Sequence, residues 1–261
     1  MNFFRIILAI IFLGAFSPAT ASENTGSLRL CYENRAQPPY YMGDDAVVPL
    51  HQRGVYVDIL AKVAAELGIW MQLVRRPWKR CLRLLELNEV DGVLGVSYLA
   101  EREAIGRYPR VNGALDHNAR LAMKSYSFYV RRDHQIPWKG VLSEVEGYSV
   151  GVPLGYAISS RLVKAGVKVS EQSHTEFLLE MLKHKRIEAV TTLAGAGDFQ
   201  IREDPERYKD IVKLSPSLQA QSYHLLIGYE FYADNREMVE RIWDLIPSYR
   251  TEINAKYGIT D

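Results

Sequence analysis

The residues best suited to chemistry fall in five short stretches: Glu33 to Tyr41, Arg75 to Arg80, Gly95 to Arg102, Pro153 to Ala157 and Thr191 to Gly197. They supply arginines, a tryptophan, tyrosines and hydroxyls, which suit a grip on a small polar or charged solute. A guanidinium fork pairs with a carboxylate through two parallel hydrogen bonds and keeps its charge when desolvated. A tryptophan face stacks on a ring or an aliphatic stem, or caps a cation. Covalent catalysis is less well served, because no Ser/His/Asp or Cys/His grouping occurs in close sequence. The six histidines are scattered and no CxxC occurs, so neither a metal site nor a cofactor is expected.

Periodicity indicates what positions these stretches. Ser27 to Tyr32 reads as a strand ending in the turn Gln37-Pro38-Pro39-Tyr40-Tyr41. Gly54 to Leu67 places Val57, Leu60, Ala61, Ala64 and Leu67 at helical spacing, and Gly68 closes the helix. A strand at Trp70 to Val74 follows, then a helix from Pro77 to about Leu87, then a strand at Val90 to Val96. Strand, helix, strand, helix, strand is the signature of a parallel α/β sheet. The order repeats: strand Tyr148 to Val152, a turn at Gly155, a helix through Lys164, strand Val167 to Ser170, helix Thr175 to Lys183, strand Glu188 to Thr192. Ala122 to Arg131 and Ser222 to Tyr229 join the two units. The last segment, Asn235 to Tyr257, carries Met238, Ile242, Leu245, Ile246 and Tyr249 on one helical stripe and is expected to fold back on the first unit. Loops at the carboxyl ends of parallel strands gather at one edge, where ligands bind, so the five stretches are expected to face a cleft between two lobes.

Residues 1–21 have one cation, Arg5, an apolar run from Ile6 to Phe16 and a terminal Ala19-Thr20-Ala21. That is the layout of a secretory signal peptide cut after Ala21, and the run is too short to span a bilayer. Export out of the cytoplasm is expected, without membrane insertion after cleavage, and the resemblance described below implies the periplasm as its destination. Losing Arg5 lowers the basic count from 32 to 31, equal to the 31 acidic residues, so binding to nucleic acid by bulk charge is disfavoured. Cys31 and Cys81 lie in a compartment that permits oxidation. They form either one disulfide or two separate buried thiols, and spacing alone leaves both open.

Several motifs occur together in order: Gly54-Val55-Tyr56-Val57-Asp58, Pro77-Trp78-Lys79-Arg80, Val90-Asp91-Gly92-Val93, Ser97-Tyr98-Leu99-Ala100-Glu101-Arg102 and Tyr108-Pro109. In the second unit stand Glu146-Gly147-Tyr148-Ser149-Val150-Gly151-Val152 with Gly155, and Arg186-Ile187-Glu188-Ala189. Over about residues 27–258 the chain resembles family 3 of the periplasmic solute-binding proteins, the polar amino-acid binders. The resemblance implies the type II two-lobed α/β fold, each lobe a mostly parallel sheet flanked by helices, joined by two hinge crossovers. Lobe one would comprise residues 22–124 and a return segment, 221–261, with lobe two at 125–220. It also implies that Arg102 holds a ligand carboxylate assisted by Ser97 beside Gly95, while Gly155 and Tyr156 offer a helix start with free N–H groups. Trp78 matches an apolar ligand contact, with a core tryptophan as the competing reading. Arg80 either points into the cleft or pairs with a lobe carboxylate. Glu33 matches an acid that accepts from a ligand ammonium, with a simple turn acid as the alternative, and Thr191 and Thr192 complete the set from lobe two.

One departure bears on the ligand. Family members that bind amino acids carry an Asp for the α-ammonium where this chain has Leu193. Without it a buried ammonium has a poorer partner, unless Glu33 or Asp198 compensates, so a carboxylate lacking the α-amino group, or a modified amino acid, becomes competitive. Gly195-Ala196-Gly197 reads as a loop that leaves room for a larger ligand. The resemblance thus implies a monomeric receptor that closes by hinge rotation on a small amino acid or related carboxylate and delivers it to an ABC-type permease. A sensory binding protein is the alternative, as is an arogenate or cyclohexadienyl dehydratase-like enzyme on the same scaffold. For the enzyme, Glu33, Lys79 and Glu101 are the nominees for acid or base.

Overall fold

The computed structural model describes residues 26–218 and 220–259. The signal-peptide reading of residues 1–21 lies outside them. Strand β1 (Ser27–Glu33) pairs in parallel with β2 (Trp70–Arg76) from Ser27 opposite Trp70 to Glu33 opposite Arg76. Between them runs helix α1 (Val55–Leu67), which stops where Gly68 takes φ 63 and returns its N–H to the Ala64 carbonyl. The buried face of α1 is wider than the sequence stripe and includes Ile59 and Val63, because the C-terminal helix covers its second side.

Helix α2 (Trp78–Glu86) is capped by Pro77, which fixes the turn without losing a helical bond, and leads to strand β3 (Gly92–Ser97). Cys81 of α2 and Cys31 of β1 are joined by a disulfide with Cα atoms 5.5 Å apart, so the helix bearing Trp78 is covalently fastened to the sheet. After β3 come a 3-10 turn at Ala100–Ala104 and a hairpin of β4 (Arg110–Val111) and β5 (Ala114–Leu115). Strand β6 (Ala122–Lys124) then passes the chain to the second sheet, which β7 (Tyr126–Arg131) enters.

The second sheet gathers β8 (Ser149–Pro153), helix α3 (Ala157–Lys164), β9 (Lys168–Gln172), helix α4 (Thr175–Lys183), β10 (Ala189–Leu193), helix α5 (Ala194–Glu203) and β11 (Ile211–Lys213). Its order is β11-β7-β10-β8-β9. The chain returns through β12 (Gln221–Ile227), and helices α6 (Tyr229–Asp234) and α7 (Arg236–Tyr257) complete the first lobe. The first sheet has the order β2-β1-β3-β12-β6. Each sheet therefore has four strands running one way and a single reversed strand contributed by a crossover: β12 runs against β3 and β6, and β7 against β10 and β11. Helix α7 packs against α1, and its buried residues include Val239, Ile242, Trp243, Ile246 and Ile253.

Gly195-Ala196-Gly197, read from sequence as a loop, is instead the first turn of α5. Two glycines lower helix propensity, but close packing of α5 on β7 overrides it. A Cβ on Gly197 would lie 2.3 Å from the Tyr129 ring, so the bare backbone is what permits that packing.

Candidate functional site

The carboxyl ends of β1 and β3 and the start of α2 face the β8 to α3 turn across the cleft. The space between them, counted with its opening to solvent, is about 260 Å³. Glu33, Gln37, Tyr41, Trp78, Gly95, Ser97 and Arg102 line it from lobe one, with Lys124 and Tyr223 on the crossovers. Tyr126, Tyr156, Ala157 and Leu193 face them from lobe two.

Arg102 is positioned by the 3-10 turn that follows β3. Its Nη1 donates to the Ser97 carbonyl at 3.0 Å and to Ser97 Oγ at 3.1 Å, and its Nη2 donates to the Gly155 carbonyl at 3.2 Å. The guanidinium carbon lies 5.4 Å from the centre of the Trp78 ring. Its sequence neighbours pair elsewhere, Glu101 with Lys164 at 3.7 Å and Glu103 with Arg110. Arg102 is thus a buried cation, and among the described residues no carboxylate pairs with it. Gly95 is at φ 72, and a Cβ there would lie 2.6 Å from the Tyr56 ring, so glycine lets β3 bend at the cavity wall.

Lobe two is held by its Gly155 turn. The Gly155 carbonyl accepts from Trp78 Nε1 at 3.2 Å as well as from Arg102, and the Gly155 N–H donates to Glu171 Oε1 at 3.2 Å. That N–H, expected to face an anion, is therefore committed within lobe two. Lys79 and Glu171 form a 3.3 Å ion pair on the rim across the lobes. Of the nominees for acid or base, Lys79 and Glu101 belong to such rim pairs, and Glu33 reaches the cavity.

Glu33 sits at the centre of a buried network. Its Oε2 accepts from Gln37 Nε2 at 2.9 Å, from Tyr41 OH at 2.9 Å and from Tyr156 OH of the opposite lobe at 2.5 Å. Gln37 Nε2 also donates to the Tyr156 hydroxyl. Burial pushes the Glu33 carboxyl above its ordinary value, against the opposing pull of these donors and of Lys124. Burial, then the Glu33 charge, hold the Tyr41 and Tyr156 hydroxyls well above theirs.

Lys124, at the end of β6, extends the network by donating to Gln37 Oε1 at 2.8 Å. Its Nζ lies 4.3 Å from the Tyr223 ring centre, 4.8 Å from Tyr40, 5.2 Å from Tyr56 and 5.9 Å from Tyr41. Burial brings its amine down to about 7, while Glu33 pulls the other way. Sequence reading missed Lys124. The available signal was a lone cation inside the otherwise uncharged crossover run Ala122-Met123-Lys124-Ser125-Tyr126.

Of the residues picked out from sequence, Glu33, Trp78, Gly95, Ser97, Arg102 and Tyr156 converge on the cavity, and Gly155 closes it behind Trp78. Three do not. Arg80 is half exposed on the outer side of α2, 3.9 Å from Glu89. Thr191 and Thr192 are fully buried in β10, where Thr191 Oγ1 donates to the Ser127 carbonyl at 3.2 Å and Thr192 Oγ1 bonds Thr175 Oγ1 at 3.2 Å. Side chains of a central strand point into the layers above and below the sheet, so only its last residue, Leu193, reaches the edge. Asp198 accepts from Tyr129 at 2.8 Å and Lys213 at 2.6 Å, and is not among the residues lining the cavity. Among the described residues no group of His, Cys, Asp and Glu is arranged to hold a metal ion, and no helix is long and apolar enough to cross a membrane.

No family model matches the chain, and no curated protein matches it. Solved structures do. An ancestral arginine-binding protein bound to glutamine superposes with a TM-score of 0.68 at 18% identity, covering 89% of this chain and 97% of the other. A histidine kinase sensor domain with similarity to periplasmic binding proteins gives 0.69 at 17%, covering 89% and 96%. The substrate-binding protein of an amino acid ABC transporter gives 0.65 at 16%, covering 89% and 99%. The two five-stranded sheets, the double crossover and these superpositions together give the chain the two-lobed periplasmic-binding-protein fold.

Proposed function

We propose that this protein is an exported, monomeric binding protein that holds a small carboxylate-bearing solute between its lobes. The observation that carries the reading is Arg102: a buried guanidinium on the cavity wall, backed by Trp78 and Ser97, with no carboxylate of the described chain paired to it. A bidentate ligand carboxylate supplies what that fork lacks. Contacts to Tyr156 and the Gly155 turn exist only with the lobes together, so the solute favours that form. Delivery to an ABC-type permease accords with the resemblance to the amino acid transporter's binding protein. Signalling to a membrane partner accords equally with the resemblance to the kinase sensor domain.

A thermal-shift and calorimetric screen of residues 22–261 against amino acids and small mono- and dicarboxylates tests the reading. A solute at 100 times its dissociation constant adds about 2.7 kcal/mol to stability. Arg102→Ala is expected to abolish binding of every carboxylate. Unchanged affinity in that variant refutes the assignment.

A further inference from the structure

The cavity holds a second cation that the Arg102 reading does not use. Lys124 is nine-tenths buried, lines the same space as Arg102, and spends one of its three N–H donors, on Gln37. No carboxylate of the described residues lies within ion-pair distance of it; its hydrogen-bonded link to Glu33 runs through the Gln37 side chain, and the Glu33 charge acts on it from beyond ion-pair distance. Four tyrosine rings surround the amine, an arrangement that holds a cation in place without neutralising it. The one carboxylate on the cavity wall, Glu33, already receives three donors on Oε2. The enclosed site therefore presents two cations with unspent donors against one heavily used acid, and burial makes such an imbalance costly unless a ligand corrects it.

We infer that Lys124 is a second oxyanion subsite, so that the solute carries two anionic groups, one held by Arg102 and the other by Lys124. This rests on the reading of Arg102 as a carboxylate anchor. It makes length-matched acids with one and two carboxylates the informative probes: butyrate against succinate, valerate against glutarate, and 2-aminobutyrate against aspartate. Removing the second carboxylate leaves a buried donor set unpaired, which is expected to weaken binding by about tenfold or more.

Calorimetric titration of each pair into the protein gives the ratio directly. The expected result is a diacid preference of about tenfold or more in at least one pair, which collapses toward unity in Lys124→Met. The wild-type ratio needs no variant, so the test survives if Lys124→Met does not fold. Equal affinity for mono- and diacids overturns the inference and leaves the Arg102 reading standing, provided Arg102→Ala still loses both. A diacid preference that persists in folded Lys124→Met also overturns it. If no member of any pair binds, both readings fall together.

Discussion

Reducing the Cys31–Cys81 disulfide is expected to cost lobe one much of its stability, and the size of the loss follows from chain length. The bond ties residues 50 apart in sequence. In the chain-entropy account, closing a loop of that length removes freedom from the unfolded state equivalent to about 4 kcal/mol at room temperature. Reduction in place leaves both sulfurs in the cluster formed with Trp78, Leu84, Leu85, Val93 and Tyr108, so little packing is lost and the crosslink term is isolated. The assay is urea unfolding of residues 22–261 with and without a phosphine reductant, followed by circular dichroism, with thiols titrated in the unfolded, unreduced sample. About 4 kcal/mol lower stability on reduction, with no free thiol beforehand, is the expected pair of results. Two titratable thiols before reduction refute the bond. A bond present but worth under about 1 kcal/mol refutes the chain-entropy argument for its contribution.

Three other outcomes are accessible. Lys124 carries a folded-state pKa near 7, below its unfolded value, so the unfolded chain binds more protons between about pH 7 and 10.5, and this group's contribution to stability rises with pH across that window. Urea midpoints of wild type and Lys124→Met, compared at both ends of it, are expected to converge toward high pH; a constant difference defeats the assignment. Tyr156→Phe removes the hydroxyl that reaches Glu33 and Gln37 across the lobes and is expected to cost about 1.5–3 kcal/mol of closure free energy, read as a larger radius of gyration by X-ray scattering. An unchanged radius counts against that contact as a closing element. Solute addition is expected to alter tryptophan emission in wild type but not in Trp78→Phe, since Trp70, Trp138 and Trp243 do not line the cavity; a change surviving that substitution removes Trp78 from the site.

How far the sequence could be read depended on the range of the interaction involved. Helix α4 is legible to the residue, Thr175 to Lys183, and the end of α1 at Gly68 is as clear, because period and stop signal are both local. Helix α5 was not legible, since the packing of Gly197 on Tyr129 joins residues far apart in sequence. Trp78 and Arg80 stand only two residues apart, yet 200° of helical rotation sends one to the cavity and the other to solvent once α2 begins at Trp78. Lys124 was hidden for a related reason: the rings around it come from positions 40, 41, 56 and 223, which only the double crossover brings together.

The Gly155 carbonyl, gripped by both Trp78 and Arg102, has a kinetic meaning. Arg102, the proposed carboxylate anchor, also fastens the two lobes through that carbonyl, so on the proposed reading the fastening releases before a solute enters. Entry then follows a unimolecular opening step. At low concentration the observed association rate rises with solute, but at high concentration it levels off at the opening rate and no longer responds to added ligand. On the proposed reading, loosening the Gly155 grip is expected to move that plateau upward and to raise the escape rate of bound solute as well, so that one carbonyl would set both the speed limit of loading and the lifetime of the loaded state.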